Sequence, residues 1–353
     1  MDLFHSVATP FYIFFYAFLA FLLAYALSPL AILFAKRMGA IDVPGSAKHK
    51  RHRVPTPLAG GLVLFMVLPI LGVASGLWRD QEILPILLGG AVVFFFGVLD
   101  DIYGLSAPQK FTGQFIAAAI LINAGLAIRF LETVNIPLSL FWFKVLRWGL
   151  TLFWVVGITN AFNLIDSMDG LLAGLTVIMS GFFAVFAYFS GQMTLSLFAA
   201  VLVGISVALY LYNKTPARFF LGDSGSQLIG FFLAAIAILY RPPDLHPAST
   251  WFLPILLLGV PIFDTSLVVI SRLRRHQPIF MADRAHTYHR LVRLGLSASQ
   301  AVFLIHLLAF LLSMAALWAM FSSPERAIFL FLLVLFAGAL LIAFFEKAAP
   351  IED

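Results

Sequence analysis

Apolar runs of about 18 to 25 residues follow one another along almost the whole of this chain, and that pattern settles its class before any motif is considered. A run of about 20 apolar residues matches the hydrocarbon thickness of a bilayer, and a chain built of such runs has no way to bury them all in water. With 62% hydrophobic and 11% charged residues among 353, a soluble globule is excluded. The expected fold is all-α: a polytopic membrane protein with about eleven transmembrane helices and a cytoplasmic-face active site. The spans are placed at 11–34, 58–77, 83–99, 111–130, 140–158, 171–189, 194–212, 226–240, 251–270, 298–320 and 327–345. They form a single integral membrane domain over residues 1–353. Ala24-Tyr25-Ala26 has the small-x-small pattern of a secretory cleavage site. No Lys or Arg precedes it, however, and the run stays apolar to Phe34, so a retained span is expected.

An odd number of spans sorts the linkers onto two sides. Linkers 35–57, 100–110, 159–170, 213–225 and 271–297, with the C-terminal tail, hold 16 of the 22 Lys and Arg residues. Cytoplasmic loops carry the basic excess, so these linkers are expected inside, with the N-terminus outside, the C-terminus cytoplasmic and the chain multi-pass in the inner (plasma) membrane. The acidic residues sort more sharply. Between residues 42 and 283, every Asp except Asp80 and Asp244 lies in or beside those same linkers, and none of Glu82, Glu132, Glu325 and Glu346 joins them. A solvated surface mixes the two acids, whereas a compact metal or phosphate site favours the shorter one, and ionisable groups at span ends point to function. The net charge of +5 is accounted for by topology and anionic lipid heads, so no nucleic-acid partner is expected. The lack of cysteine removes disulfides and thiolate chemistry.

Asp100 and Asp101 close the run 84–99. Consecutive side chains on a helix diverge by about 100°, so separate roles are expected, one as a base and the other toward a metal or Lys; the plain alternative is a pair of carboxylates capping a span. Ser106 and Pro108 signal a helix start, after which Lys110 and Gln114 share a face. Asn160, Asn163, Asp166 and Asp169 recur every third residue with no base nearby, a stripe that drifts around a helix unless a tight turn realigns it. The stretch from Asn213 to Ser226 combines an amide, Lys214, Arg218, Phe219, Phe220 and the turn Gly222-Asp223-Ser224-Gly225. There Asp223 serves either as a helix cap or as a metal-binding carboxylate beside helix N–H groups. The linker from Asp42 through Lys48-His49-Lys50-Arg51-His52-Arg53 to Pro55, Pro57 and Gly60-Gly61 reads as a shaped loop able to hold a phosphate, or as a positive-inside anchor. In the last large linker, His286 and His289 lack a third ligand for zinc, and the mixture with Arg284 suits an anionic, sugar-bearing substrate better.

Taken in this order, the motifs resemble the polyprenyl-phosphate N-acetylhexosamine-1-phosphate transferase family from Asp42 to about Leu294. The series that carries the resemblance is Asp-Asp with Gly-Leu-Ser and Lys110/Gln114, then Asn-x-x-Asn-x-x-Asp-x-x-Asp-Gly, then Phe-Leu-Gly-Asp-x-Gly-Ser. The resemblance implies transfer of a sugar 1-phosphate, most often N-acetylglucosamine 1-phosphate, from a UDP-N-acetylhexosamine to undecaprenyl phosphate, with release of UMP and with Mg²⁺ or Mn²⁺ as cofactor. It implies Asp223 as metal ligand and Asp100, Asp101 and Lys110 as catalytic residues. Lys50, His52, Asn160, Asn163, Asp166, Asp169, Asn213, Phe220, Arg284, His286 and His289 then contact substrate, with Phe220 stacking on uracil. The expected partners are those substrates and membrane lipids, and a homodimer is compatible with them. Tyr288 stands where the family commonly has a middle His, and the three consecutive His of the muramoyl-pentapeptide branch are absent, which favours a simple UDP-N-acetylhexosamine. Two other readings compete. Asp166-Ser-Met-Asp169-Gly170-Leu-Leu-Ala173 meets the opening of the CDP-alcohol phosphotransferase motif, but Gly174 follows and no later carboxylate completes it. An ion-coupled transporter would use Asp residues as a relay, but nearer the bilayer midplane.

Overall fold

The computed structural model describes residues 2–44, 54–133, 137–241, 251–278 and 286–348, without the side chains of 2–9 and 133. Lys50, His52 and Arg284 lie outside the described residues. The helices are α1 (Asp2–Met38), α2 (Gly60–Ala74), α3 (Ile83–Tyr103), α4 (Ala107–Asn123), α5 (Leu140–Ile165), α6 (Leu171–Phe189), α7 (Met193–Asn213), α8 (Gly222–Leu239), α9 (Leu253–Leu257), α10 (Gly259–Arg274), α11 (Thr287–Arg293), α12 (Ala298–Met320) and α13 (Pro324–Ala348). Besides two short 3₁₀ turns, the described chain holds one two-residue antiparallel ladder, β1 (Ile41–Asp42) with β2 (Thr56–Pro57), in the register Ile41 to Pro57 and Asp42 to Thr56.

Among the described residues, eight helices are long and apolar enough to cross a membrane: α1 from Pro10 onward, α3, α5, α6, α7, α8, α12 and α13. The chain is therefore an all-α, multi-pass membrane protein. Three of the eleven expected spans take other forms. Residues 58–77 hold the 15-residue α2, which stops at Ser75, and residues 111–130 hold the end of the 17-residue α4. Residues 251–270 are split at Leu258 between α9 and α10.

Two compact units divide the chain, one of Met1–Val43 and Val54–Asp244, the other including Leu245–Asp353. In the first, α8 is the axis: α2, α3 and α5 pack around it, and 89% of its apolar window is buried. Such contact needs small residues, because helices in lipid are held by close packing rather than by expulsion from water. A Cβ at Gly97 of α3 would stand 2.4 Å from the Ser224 Cα, and one at Gly61 of α2 would stand 2.6 Å from the Ser224 Cβ. The start of α8 is thereby pressed between two helices at the level of Asp100 and Asp101. A second layer, α1 against α7 and α7 against α6, lies outside this core. In the other unit, α12 packs on α9, α10 and α11, while α13 leaves most of its surface exposed, as a lipid-facing helix does.

Candidate active site

The first unit gathers its polar side chains where α3, α5 and α8 end or begin. Helix α3 stops at Gly104, whose φ of 68° reverses the chain, and α4 starts three residues later under a capping box in which the Gln109 side chain accepts from the Ser106 N–H at 2.9 Å. Asp100 fixes this corner: its Oδ1 accepts the Leu105 N–H at 2.8 Å. The turn brings Lys110 back alongside Asp100, and the buried Asp100 Oδ2 pairs with the Lys110 ammonium. The same ammonium lies 2.7 Å from Asp223 Oδ2, so one cation joins carboxylates of α3 and α8.

Asp101 does a different job. Helix α8 has no side-chain cap of its own, and the first N–H groups of a helix need acceptors. The Asp101 carboxylate supplies them from another helix: Oδ1 accepts the Asp223 N–H at 2.7 Å, and Oδ2 accepts the Ser224 N–H at 3.2 Å and the Ser224 hydroxyl at 2.6 Å. A negative charge at this helix end is also favoured by the helix dipole. Gly222 makes room for it. Its φ is 74°, and a Cβ there would stand 2.7 Å from Asp101 Oδ2.

The polar stripe of the α5–α6 connection separates into four contacts. Asn160 faces α4, where its Nδ2 donates to Gln114 Oε1 at 2.6 Å. Asn163 faces α8: its Oδ1 accepts the Ser226 hydroxyl at 2.7 Å, and its side chain also hydrogen-bonds Asp223. Helix α5 ends at Ile165, leaving Asp166 at the turn within electrostatic reach of Asp101, Asp169 and Asp223. Burial first, then the charges of Asp223, Asp101 and Asp169, push the Asp166 carboxyl well above the usual carboxylate range. Asp169 Oδ2 accepts the Thr215 hydroxyl at 3.3 Å. Asn213 is buried and spends both ends of its amide on the backbone, accepting from the Gly170 N–H at 2.9 Å and donating to the Phe219 carbonyl at 3.1 Å. Phe220 is half-buried, and its backbone joins the start of α2 by accepting the Ala59 N–H at 3.0 Å and donating to the Pro57 carbonyl at 2.9 Å.

Asp100, Asp101, Asp166 and Asp223 thus crowd one helix start, and among the described residues Lys110 provides their only ion pairs. Among those residues no three His, Asp or Glu side chains stand close enough to cage an ion. Hard oxygen donors in excess of cationic charge nevertheless fit a divalent ion such as Mg²⁺, which binds through one or two carboxylates and completes its shell with water and substrate phosphate.

In the second unit, the buried Asp264 of α10 meets the start of α11. Its Oδ2 lies 2.8 Å from His286 Nδ1 and its Oδ1 accepts the Thr287 N–H at 2.7 Å. Tyr288 is buried in the next position, and His289 is half-buried with its ring 5.2 Å from that of Tyr288. The fully buried Arg290 donates to the Ser271 hydroxyl, to Glu346 Oε1 and to the Phe345 carbonyl, tying α10, α11 and α13 together. Sequence reasoning gave no role to Gln227 and counted Asp264 only among the Asp residues in or beside the cytoplasmic linkers, with no partner or role of its own; a strongly polar side chain within an apolar span was the further signal in both.

Residues 83–241 match the model of glycosyl transferase family 4. The chain is 34% identical over 316 residues to the probable undecaprenyl-phosphate N-acetylglucosaminyl 1-phosphate transferase of Bacillus subtilis, covering 88% of this chain and 86% of that protein. It is 30% identical over 331 residues to the decaprenyl-phosphate N-acetylglucosaminephosphotransferase of Mycobacterium tuberculosis, covering 85% and 80%. A phospho-N-acetylmuramoyl-pentapeptide-transferase of Geobacillus kaustophilus is 31% identical over 300 residues, covering 77% and 87%.

Proposed function

The chain belongs to the polyprenyl-phosphate N-acetylhexosamine-1-phosphate transferase family, and from that premise we propose that it transfers N-acetylglucosamine 1-phosphate from a UDP-sugar to undecaprenyl phosphate at the cytoplasmic face of the inner membrane. In this reaction an oxygen of the polyprenyl phosphate forms a bond to the β-phosphorus of the UDP-sugar, the bridging oxygen bond to that phosphorus breaks, and UMP leaves. The observation that carries the reading is the Lys110 ammonium held between Asp100 and Asp223 at the start of α8. Both substrates are anionic, so positive charge fixed beforehand is what lowers the barrier to their approach.

Lys110 is assigned to the phosphates. Asp100, which orients Lys110 and the α3–α4 corner, is assigned as the carboxylate nearest the reacting groups. Asp223, with Asp166 beside it, would hold Mg²⁺ or Mn²⁺, which supplies charge neutralisation at the pyrophosphate. Asp101 aims the first N–H groups of α8 by receiving them. Asn163 braces Asp223, while Asn213 and Asp169 hold the loop that carries Phe220, the residue assigned to uracil. Arg284, His286 and His289 are assigned to the sugar on the resemblance alone. The names of the Bacillus and Mycobacterium relatives support N-acetylglucosamine, and the absence of three consecutive His argues against a pentapeptide substrate.

Purified protein given UDP-N-acetylglucosamine, undecaprenyl phosphate and Mg²⁺ tests the reading directly. UMP release that stops on chelation of the metal, and in Asp223→Asn protein of unchanged thermal stability, is the expected result. A protein that releases no UMP, or an Asp223→Asn variant with wild-type turnover and metal dependence, would overturn it.

A further inference from the structure

Below the contacts of Lys110, Asp223 and Asn163 lies a second polar layer on the same helices α4, α8 and α5, in which two of the three amides are buried and Asn160 is half-buried. Gln114 of α4 and Gln227 of α8 are 1% and 2% exposed. Gln114 Nε2 donates to Gln227 Oε1 at 2.9 Å, and Gln114 Oε1 accepts from Asn160 Nδ2 at 2.6 Å, while the same Nδ2 also donates to the Val156 carbonyl of its own helix at 2.8 Å. Each member stands one turn from a member of the upper layer: Gln114 follows Lys110 by four positions, Gln227 follows Asp223 by four, and Asn160 precedes Asn163 by three. Since α4 and α8 run away from the site and α5 runs toward it, all three amides lie deeper than their partners, by about 4.5 to 6 Å.

We propose that the Gln114–Gln227–Asn160 triad is the register device of the site, a set of positioning residues that holds α4, α5 and α8 in the axial and rotational setting at which Lys110, Asp223 and Asn163 meet. Apolar contact between helices in lipid is weakly directional, and a slip of α8 by one residue would keep much of it while turning Asp223 through about 100° and displacing it about 1.5 Å. The slip would break the 2.7 Å contact with Lys110. Amide hydrogen bonds oppose it because they have direction and because a displaced amide finds no water in the bundle. One buried Asn fixes the register of a coiled coil by the same logic. The triad serves the upper layer from beneath it: Gln114 and Asn160 bond to each other, Gln114 donates to Gln227, and Asn160 donates to the carbonyl of Val156 on its own helix.

The expected catalytic consequence rests on the transferase reading, but the register itself does not. Two variants separate shape from hydrogen bonding: Gln227→Met keeps the length and removes the acceptor, whereas Gln227→Glu keeps an oxygen opposite Gln114 Nε2. Misplacement of reacting groups by about 1 Å costs on the order of 100-fold in rate, so Gln227→Met should lower kcat about 10- to 100-fold with the KM for UDP-N-acetylglucosamine within about threefold, and Gln227→Glu should recover most of the loss. The register is read independently of turnover by thiol cross-linking. The natural chain has no cysteine, so Lys110→Cys with Asp223→Cys provides the only reactive pair. A short bis-maleimide should join that pair at least fivefold more slowly when Gln227→Met is added. Equal cross-linking rates with and without Gln227→Met would overturn the proposal, as would wild-type kcat in Gln227→Met, equal losses in the Met and Glu variants, or a change confined to KM. If the wild-type protein releases no UMP, the transferase reading falls, and the cross-linking rates still decide the register.

Discussion

Asp100 and Asp101 are neighbours in sequence, yet replacing each by Asn should give opposite balances of stability and turnover. In Asp101→Asn, three donors converge on a group that retains one acceptor oxygen: the Asp223 N–H at 2.7 Å, the Ser224 N–H at 3.2 Å and the Ser224 hydroxyl at 2.6 Å. Whichever way the amide turns, its NH₂ faces at least one of those donors. Losing one hydrogen bond to a charged group costs about 1.5 to 3 kcal/mol. Losing the negative charge at the helix start adds about 0.3 to 1 kcal/mol, for a total of about 3 kcal/mol. In Asp100→Asn, by contrast, Oδ1 still accepts the Leu105 N–H, and Lys110 keeps its contact with Asp223. The stability cost there is about 1 kcal/mol or less, because a partly exposed ammonium retains one of its two counter-ions. Thermal unfolding in detergent, followed by size-exclusion chromatography, should therefore place Asp101→Asn on the order of 5 °C below wild type and Asp100→Asn close to wild type. UMP release should fall at least about 100-fold in Asp100→Asn, as it does when a preorganised charge partner of a reacting group is removed. Asp100→Asn unfolding early while Asp101→Asn matches wild type would refute the assignment of cap and chemistry, and equal mild losses in both would reduce the pair to surface capping.

Gly222→Ala places a Cβ 2.7 Å from Asp101 Oδ2 at a φ of 74°, so it should cost about 1 to 2 kcal/mol in backbone strain alone and reduce turnover at least tenfold. Because it disturbs the contact that Asp101→Asn removes, the Tm losses of the two substitutions should combine to less than their sum, and full additivity would count against a shared cause. Reporter fusions after Arg241 and Glu346 should score outside and inside, as the concentration of basic residues in alternate linkers requires; a reversal of either would break the placement of the Asp-bearing linkers on one side.

Much of the fold was legible because a membrane span is a one-dimensional property of sequence. The run 83–99 needed only length and composition to be read, and it became α3. The run 58–77 was read as one span because Ser75 and Gly76 do not interrupt its hydropathy, although the helix stops there at a left-handed glycine. Within the site, helix geometry alone separated Asp100 from Asp101, and the start signal at Ser106 placed Lys110 and Gln114 on one face of α4. What Asp101 touches was not legible, since its partners lie 122 and 123 residues further along the chain and the N-terminus of α8 offers an adequate local cap candidate in Asp223 itself. The Asn160-to-Asp169 stripe could be seen as polar and periodic, but its division among α4, α8 and the α7–α8 loop depends on which helices stand beside α5. Gln227 and Asp264 carry no local motif at all, and only the pairing of spans gives them a neighbour.

The two-residue ladder β1–β2 bears on how this protein tolerates change. It holds Asp42 against Thr56, and the following Leu58 bridges to Phe220, so the start of α2 is tied both to the end of α1 and to the loop before α8. A change that unpairs Asp42 from Thr56 therefore reaches Leu58 and Phe220, and through the start of α2 the seat of Gly61 against Ser224.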